Sequence, residues 1–488
     1  MAVEFIPNIV DGKAVHVANT ERAPVFNPSQ GKLISETPLS GLGELDEAVQ
    51  SAHRAYREWS NVPVTSRVKI LFRYLELIQK HSEELSQLIT VENGKTLEEA
   101  RGDVLRGMEV VEFACGMPQL LKGENLPQVA RQIDGQTSRE PLGVVAGITP
   151  FNFPVMVPLW MFPIAIAAGN TFILKPSEKV PHSANRLAEL FSEAGLPPGV
   201  LNVVHGAKEV VDGICTHPSI RAISFVGSTG VARHVYRLGT SHGKRVQAAG
   251  GAKNVMIVMP DADIHSTSRA IIGSAFGCAG QRCMAGSIMM EVGGPIVQER
   301  LVEDMNAIQL DDTSRNPNAG MGPVIDSASQ KRLQNTLDTL ESDVRIVRDG
   351  RFQLPKDGFF VGPTLIDNVT PTSRLFNTEL FGPALSSMYP KTLEEALEWQ
   401  SRIPYGNGGT IFTQSGSAAR EFVRQSKCGM VGINVGIPAP MAIFAFSGWD
   451  DSFFGDLHVQ GIEGVLFYTR QKVVLARWDN DYMRSKGW

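Results

Sequence analysis

From Leu142 onward, short apolar runs alternate with helical stretches, and this alternation restricts the possible folds more than any other feature of the chain. Gly143–Ile148 reads as a strand, Pro158–Ala168 as a helix and Asn170–Lys175 as a strand. Ser183–Ala194 is the next helix, and Val200–His205 and Ala222–Val226 are further strands. A Gly-Ser-Thr-Gly turn and a helix from Val231 follow. Strands joined by helices at this spacing form parallel βαβ units, so an α/β fold with a Rossmann-like parallel sheet is expected. A second α/β stretch begins at Asn254-Val-Met-Ile-Val-Met and runs to about residue 450. At 488 residues the chain exceeds what one core serves, which predicts two or three domains.

Ahead of the alternation, Leu45, Ala48, Val49, Ala52, Ala55, Tyr56 and Trp59 fall on one helical face. Ser66–Glu92, broken near His81, and Leu97–Cys115 are the next helical runs. The polar segment Gln119–Ser138 reads as a projecting hairpin, and Val465–Leu475 as a final strand. An exposed strand needs a partner, so a homodimer or homotetramer is expected. The division predicted is a cofactor domain of residues 1–118 and 139–250 and an α/β catalytic domain of 251–450. A small β oligomerisation domain is expected from 119–138 and 451–488.

A net charge of -5 leaves no basic footprint for nucleic acid and no polybasic membrane patch. The apolar run Pro158–Leu174 is interrupted by Pro163, Gly169 and Asn170, too short and broken for a membrane span. Met-Ala-Val-Glu-Phe-Ile-Pro lacks the pattern of a signal peptide, and five sparse cysteines do not form a disulfide framework. A cytoplasmic location is therefore expected. The ten histidines show no metal-ligand spacing, so no metal is predicted.

Chemistry points to Gly277-Cys278-Ala279-Gly280-Gln281-Arg282-Cys283-Met284-Ala285. Small residues let a substrate approach the backbone, and a cation beside a thiol lowers its pKa. An isolated cysteine is more often buried and inert, and Arg282 with the glycines weakens that reading without reversing it.

The segments Thr149-Pro150-Phe151-Asn152-Phe153-Pro154, Lys175-Pro176-Ser177-Glu178 and Phe225-Val226-Gly227-Ser228 resemble signature blocks of the aldehyde dehydrogenase superfamily. So do Gly280-Gln281-Arg282-Cys283 and Glu379-Leu380-Phe381-Gly382-Pro383, and all five stand in the family's order. The resemblance implies that Cys283 is the nucleophile and that Asn152 donates to the oxyanion. It implies NAD as cofactor, with Thr149, Phe151, Lys175, Glu178, Gly227, Ser228, Glu379 and Phe381 along its site. No Gly-x-Gly-x-x-Gly follows the first parallel strand, so phosphate contact falls to Gly227-Ser228 at a helix start. A carboxylate at Glu178 disfavours a 2′-phosphate, hence NAD over NADP.

Most members carry a glutamate in Glu-Leu-Gly-Gly-Lys that activates water against the thioester. Aligned on Lys253-Asn254, Ala249 stands at that position, and alanine takes no proton. This departure, with Met259–Asp263, Pro158–Pro163 and Ser452–His458, resembles the CoA-acylating methylmalonate- and malonate-semialdehyde dehydrogenase branch. The resemblance implies coenzyme A as acyl acceptor, loss of CO₂, and an aldehyde substrate carrying a carboxylate. Arg282 and Arg106 are the candidate carboxylate receptors. Gly250 and Gly436 depart from the branch, and Gly436 is expected to loosen the pocket wall. The alternatives are a hydrolytic aldehyde dehydrogenase releasing a free acid, and a non-catalytic descendant.

Overall fold

The structure is a computed structural model that describes residues 4–18 and 20–478. Two parallel sheets, each with its own core, carry the chain. In the first, strands run in the order Phe453–Phe454, Arg245–Ala249, Ile220–Val226, Val144–Ile148, Thr171–Lys175, Leu201–Val203, Asn8–Val10 and Lys13–Val15. The five central strands are parallel, and the short edge strands pair antiparallel. Every residue of Val144–Ile148 and Thr171–Lys175 is buried, as a sheet covered on both faces requires.

From Val144–Ile148 the chain steps to Thr171–Lys175 and Leu201–Val203 on one side, then returns to Ile220–Val226 on the other. The order reverses between the adjacent strands Val144–Ile148 and Ile220–Val226, and a crevice opens at their carboxyl ends. The residues that follow these two strands, Thr149–Asn152 and Gly227–Ser228, are the ones singled out by sequence.

The second sheet orders Arg345–Arg348, Thr364–Asp367, Ala384–Met388, Gly286–Glu291, Asn254–Val258, Gly408–Phe412 and Met430–Ile433, parallel apart from the first. A third sheet joins Asn125–Ala130, Ile133–Pro141 and Thr469–Arg477 antiparallel. This is the expected α/β class, with a small separate β unit.

The helix Leu97–Cys115 has the predicted bounds and starts on a capping box, in which Thr96 Oγ1 accepts from Glu99 N and Glu99 Oε2 accepts from Thr96 N. It crosses the wholly buried helix Met156–Ala167 at Gly107, where an added methyl would stand 2.7 Å from Leu159 Cδ1. The expected break near His81 is real, with helices at Val64–Lys80 and Ser82–Asn93.

The described part of the segment 451–488 is shared between two sheets, because Phe453–Phe454 pair with Arg245–Ala249 in the first sheet. The expectation of one strand over Val465–Leu475 is corrected: Gly461–Phe467 is a helix packed on Met156–Ala167, and the strand begins at Thr469. An apolar run of that length fits either state until its packing partner is known. Among the described residues no helix is long and apolar enough to cross a membrane.

Candidate active site

The helix Ile264–Phe276 ends in three successive left-handed residues, Cys278 (φ 51°), Ala279 (φ 51°) and Gly280 (φ 69°). Positive φ at two non-glycine residues is costly, and it persists where the surroundings over-determine it. Gly280 lies against the Gly382 carbonyl, which leaves no room for a side chain. The turn delivers Cys283, whose carbonyl accepts from Asn254 Nδ2 and Asn407 Nδ2, both at 2.9 Å. Two amides, one at the start of the strand Asn254–Val258 and one just before Gly408–Phe412, thus fix the cysteine backbone from behind.

Cys283 stands where two cavities meet. One, of about 410 Å³, is the crevice at the first sheet's carboxyl edge, lined by Thr149, Phe151, Asn152, Lys175, Glu178, Gly227, Ser228, Glu379 and Phe381. The other, of about 210 Å³, is walled by Arg106, Glu109, Phe153, Trp160, Arg282 and Phe446. The structure therefore brings together every site residue named from the sequence.

Asn152 is buried, and its Nδ2 donates to Gln281 O at 2.9 Å, so its amide is aimed at the cysteine turn. Its own carbonyl accepts from Lys95 Nζ at 2.8 Å. Lys95 is paired with Asp103 at 2.9 Å, both side chains fully enclosed, and Asp103 Oδ1 accepts from Met156 N at 2.7 Å. One buried ion pair thus ties the Asn152 turn to the helix that follows it. Sequence reasoning missed it because neither residue lies in a signature block. Asp103→Ala is expected to cost about 3–5 kcal/mol, since it strands the Lys95 ammonium. A lowered urea midpoint checks this, and an unchanged midpoint refutes it.

Burial pushes the Cys283 thiol up to about 12, and the Glu379 carboxylate adds to the rise. The amides of Cys283 and Met284, and Arg282, pull the other way more weakly. Arg282 thus lowers the thiol pKa as expected, but burial outweighs it. Its guanidinium lies against Gly277, with Nε on Cys278 Sγ (3.2 Å), one terminal nitrogen on Gly273 O (3.1 Å) and the other on Glu99 (3.3 Å). A raised pKa leaves the thiol neutral at pH 7, and its thiolate fraction grows tenfold per pH unit. Iodoacetamide labelling of Cys283 in the free chain should accelerate about tenfold per unit from pH 7 to 10 without levelling. A plateau below pH 9 would contradict it.

On the crevice side, Lys175 Nζ lies 3.4 Å from Glu178, and burial lowers the pKa of the amine. Ser228 caps the helix Thr229–Ser241 with its backbone, and its hydroxyl makes no capping bond. Thr149 Oγ1 is buried on the crevice wall without a partner among the described residues. Gly251 leaves room for the Glu379 carboxylate, which accepts from Ala252 N at 3.0 Å and is raised in pKa by burial. Phe381 is left-handed (φ 48°) and meets Phe151 edge-on at 5.9 Å. An unfilled hydroxyl, a free helix start and glycine-widened walls fit a dinucleotide laid across the strand ends.

The expectation for Gly436 fails. A methyl there would stand 2.5 Å from the Ala270 carbonyl, and Gly436 borders a neighbouring cleft, not the cavity at Cys283. Gly250 is similarly placed, 2.8 Å from Asp451 O once a Cβ is added. Both glycines permit close backbone approach.

Residues 15–474 match the aldehyde dehydrogenase family. The chain belongs to that family. Among aldehyde dehydrogenases it is 49% identical to malonate-semialdehyde dehydrogenase 1 of Geobacillus thermodenitrificans over 98% of this chain and 99% of that one. It is 50% identical to malonate-semialdehyde dehydrogenase 3 of Geobacillus kaustophilus over 97% and 99%. Its fold superposes on a provisionally assigned methylmalonate-semialdehyde dehydrogenase from Sinorhizobium meliloti, solved with NAD (TM-score 0.96, 42% identity, 98% and 99% covered). The methylmalonate-semialdehyde dehydrogenase of Oceanimonas doudoroffii gives TM-score 0.95 at 43% identity, with 98% and 99% covered.

Proposed function

We infer that this aldehyde dehydrogenase oxidises malonate semialdehyde or methylmalonate semialdehyde to acetyl-CoA or propanoyl-CoA, with NAD reduced and CO₂ released. One observation carries the reading: Cys283 separates an arginine-walled cavity from a dinucleotide crevice. The names of its full-length relatives support it.

The substrate carboxylate is received by Arg106 and Arg282, and its aldehyde carbon faces Cys283. Arg282 has committed three of its five N–H groups to the protein, which leaves one on each terminal nitrogen for a bidentate contact. Cys283 Sγ gives up its proton to solvent water and adds, as the thiolate, to the carbonyl carbon. The oxygen that becomes negative is met by the Asn152 amide and the Cys283 N–H. NAD, when bound, would supply the hydride acceptor; loss of hydride from the tetrahedral carbon leaves Cys283 carrying an acyl thioester. Lys175, Glu178, Ser228, Thr149 and Gly227 would hold its ribose and phosphates, and Glu379, Phe381 and Phe151 would frame the end nearest the cysteine. Glu178 disfavours a 2′-phosphate, so NAD is used over NADP. The thiolate of coenzyme A then takes the acyl group, Cys283 leaves as thiolate, and the cycle closes. In the semialdehyde products the carboxylate leaves as CO₂, and the carbon that carried it takes a proton.

Asn152→Ala removes one oxyanion donor and is expected to lower kcat about 10²–10³-fold with little change in KM. A rise in KM alone would remove Asn152 from the reaction. The substrate reading is tested by comparing kcat/KM for the two semialdehydes with propanal. A preference for propanal would reject it.

The three-stranded sheet has the exposed strand Thr469–Arg477 at one edge, carrying Val473 and Leu475, and Leu126 exposed on the strand at the other edge, across Gly135. This apolar surface supports assembly as a homodimer or homotetramer.

A further inference from the structure

The cavity at Cys283 carries two arginine–glutamate pairs of different kinds. Arg282 and Glu99 are locked together. Besides Arg282, the Glu99 carboxylate accepts from Thr96 N at 3.0 Å and from Cys278 N at 2.5 Å, so it is part of the frame that shapes the catalytic turn. Arg106 and Glu109 are held far more loosely. They lie one turn apart on the helix Leu97–Cys115, with side chains 30% and 32% exposed, joined by one contact of 2.7 Å. The other terminal nitrogen of Arg106 donates to Pro440 O at 2.5 Å. Among the described residues the Glu109 carboxylate accepts a hydrogen bond from Arg106 alone.

We propose that Glu109 is a specificity-determining residue, a built-in carboxylate that occupies Arg106 until the carboxylate of the substrate takes its place. The inference rests on the reading of Arg106 as a substrate receptor. No covalent bond or proton moves in the exchange. One carboxylate replaces another on the same guanidinium, so Arg106 is never left without a counter-charge in a largely apolar cavity. A partly exposed i,i+3 pair held by one contact is weak, which makes the displacement cheap. An aldehyde without a carboxylate has nothing to offer Arg106 and leaves Glu109 in the cavity, narrowing it. The pair therefore selects for a substrate of the right charge and length.

The test compares KM for malonate semialdehyde and for propanal in Glu109→Gln, Arg106→Gln and the double variant. Glu109→Gln should lower KM for the semialdehyde about threefold, the scale of an exposed ion pair, with kcat and the propanal KM unchanged. In the Arg106→Gln background the second substitution should have no effect. An unchanged or raised semialdehyde KM in Glu109→Gln, or an equal fall for propanal, overturns the proposal. If Arg106→Gln itself leaves the semialdehyde KM unchanged, the substrate reading of Arg106 fails. If it raises that KM while Glu109→Gln is silent, only the role of Glu109 fails.

Discussion

Cys283→Ala should abolish aldehyde-dependent NADH formation, lowering kcat/KM by about 10⁴-fold or more, the scale on which enzymes lose a covalent nucleophile. The size of the effect follows from the absence of a substitute. Cys115, Cys215, Cys278 and Cys428 are all buried, and burial raises the thiol pKa of each. Cys278 is nearest in sequence, yet its Sγ is taken by Arg282 Nε and it borders neither cavity. The backbone at position 283 is fixed by Asn254 and Asn407 through its carbonyl, so the alanine variant keeps the turn and the crevice. NAD binding, read by quenching of protein fluorescence, should therefore survive while turnover does not. Cys278→Ala is the matched control and should retain most of the activity. Residual turnover in Cys283→Ala near the parent rate would end the covalent mechanism.

How much of this was legible in the sequence depends on the range of the interaction. The helix Leu97–Cys115 and the break at His81 were readable because caps and periodicity are local. Gly227-Ser228 was readable as a strand-to-helix turn because a strand ends just before it and a helix starts just after. The signature blocks located Cys283, Asn152 and Glu379, and the fold then set them around one junction. What failed was what depends on burial or on a distant neighbour. Arg282 beside Cys283 suggests a lowered thiol pKa, but desolvation outweighs it, and desolvation is a property of the packed site. Gly436 was read as a loosened pocket wall because it departs from the pattern of the branch. Its actual contact is the Ala270 carbonyl, far away in the chain. Glu109 carries no motif at all, and only the folded helix sets it in the cavity beside Arg106.

Without coenzyme A, the enzyme should release about one equivalent of NADH per site in a burst and then slow by about 10²–10⁴-fold, the contribution of a positioned base. The reason lies at the end of the strand Arg245–Ala249. Ala249 pairs with Val226 on one side and Phe453 on the other, and its carbonyl accepts from Gly227 N at 3.1 Å. It offers a methyl group where a water-activating member of the family has a carboxylate. The next residues cannot supply one either, since Gly250 and Gly251 are pressed against Asp451, Thr229 and Glu379. A thiolate needs no such help to attack a thioester, so adding coenzyme A should restore the steady rate and yield acyl-CoA as the product. Free acid formed at an undiminished rate without coenzyme A would mean that another group activates water. Glu379 would be that group's first candidate, because its raised pKa and its place on the crevice wall suit a proton acceptor. Glu379→Gln would then remove the acid-forming reaction, whereas under acyl transfer to coenzyme A it disturbs the first half-reaction and leaves thioester exchange intact.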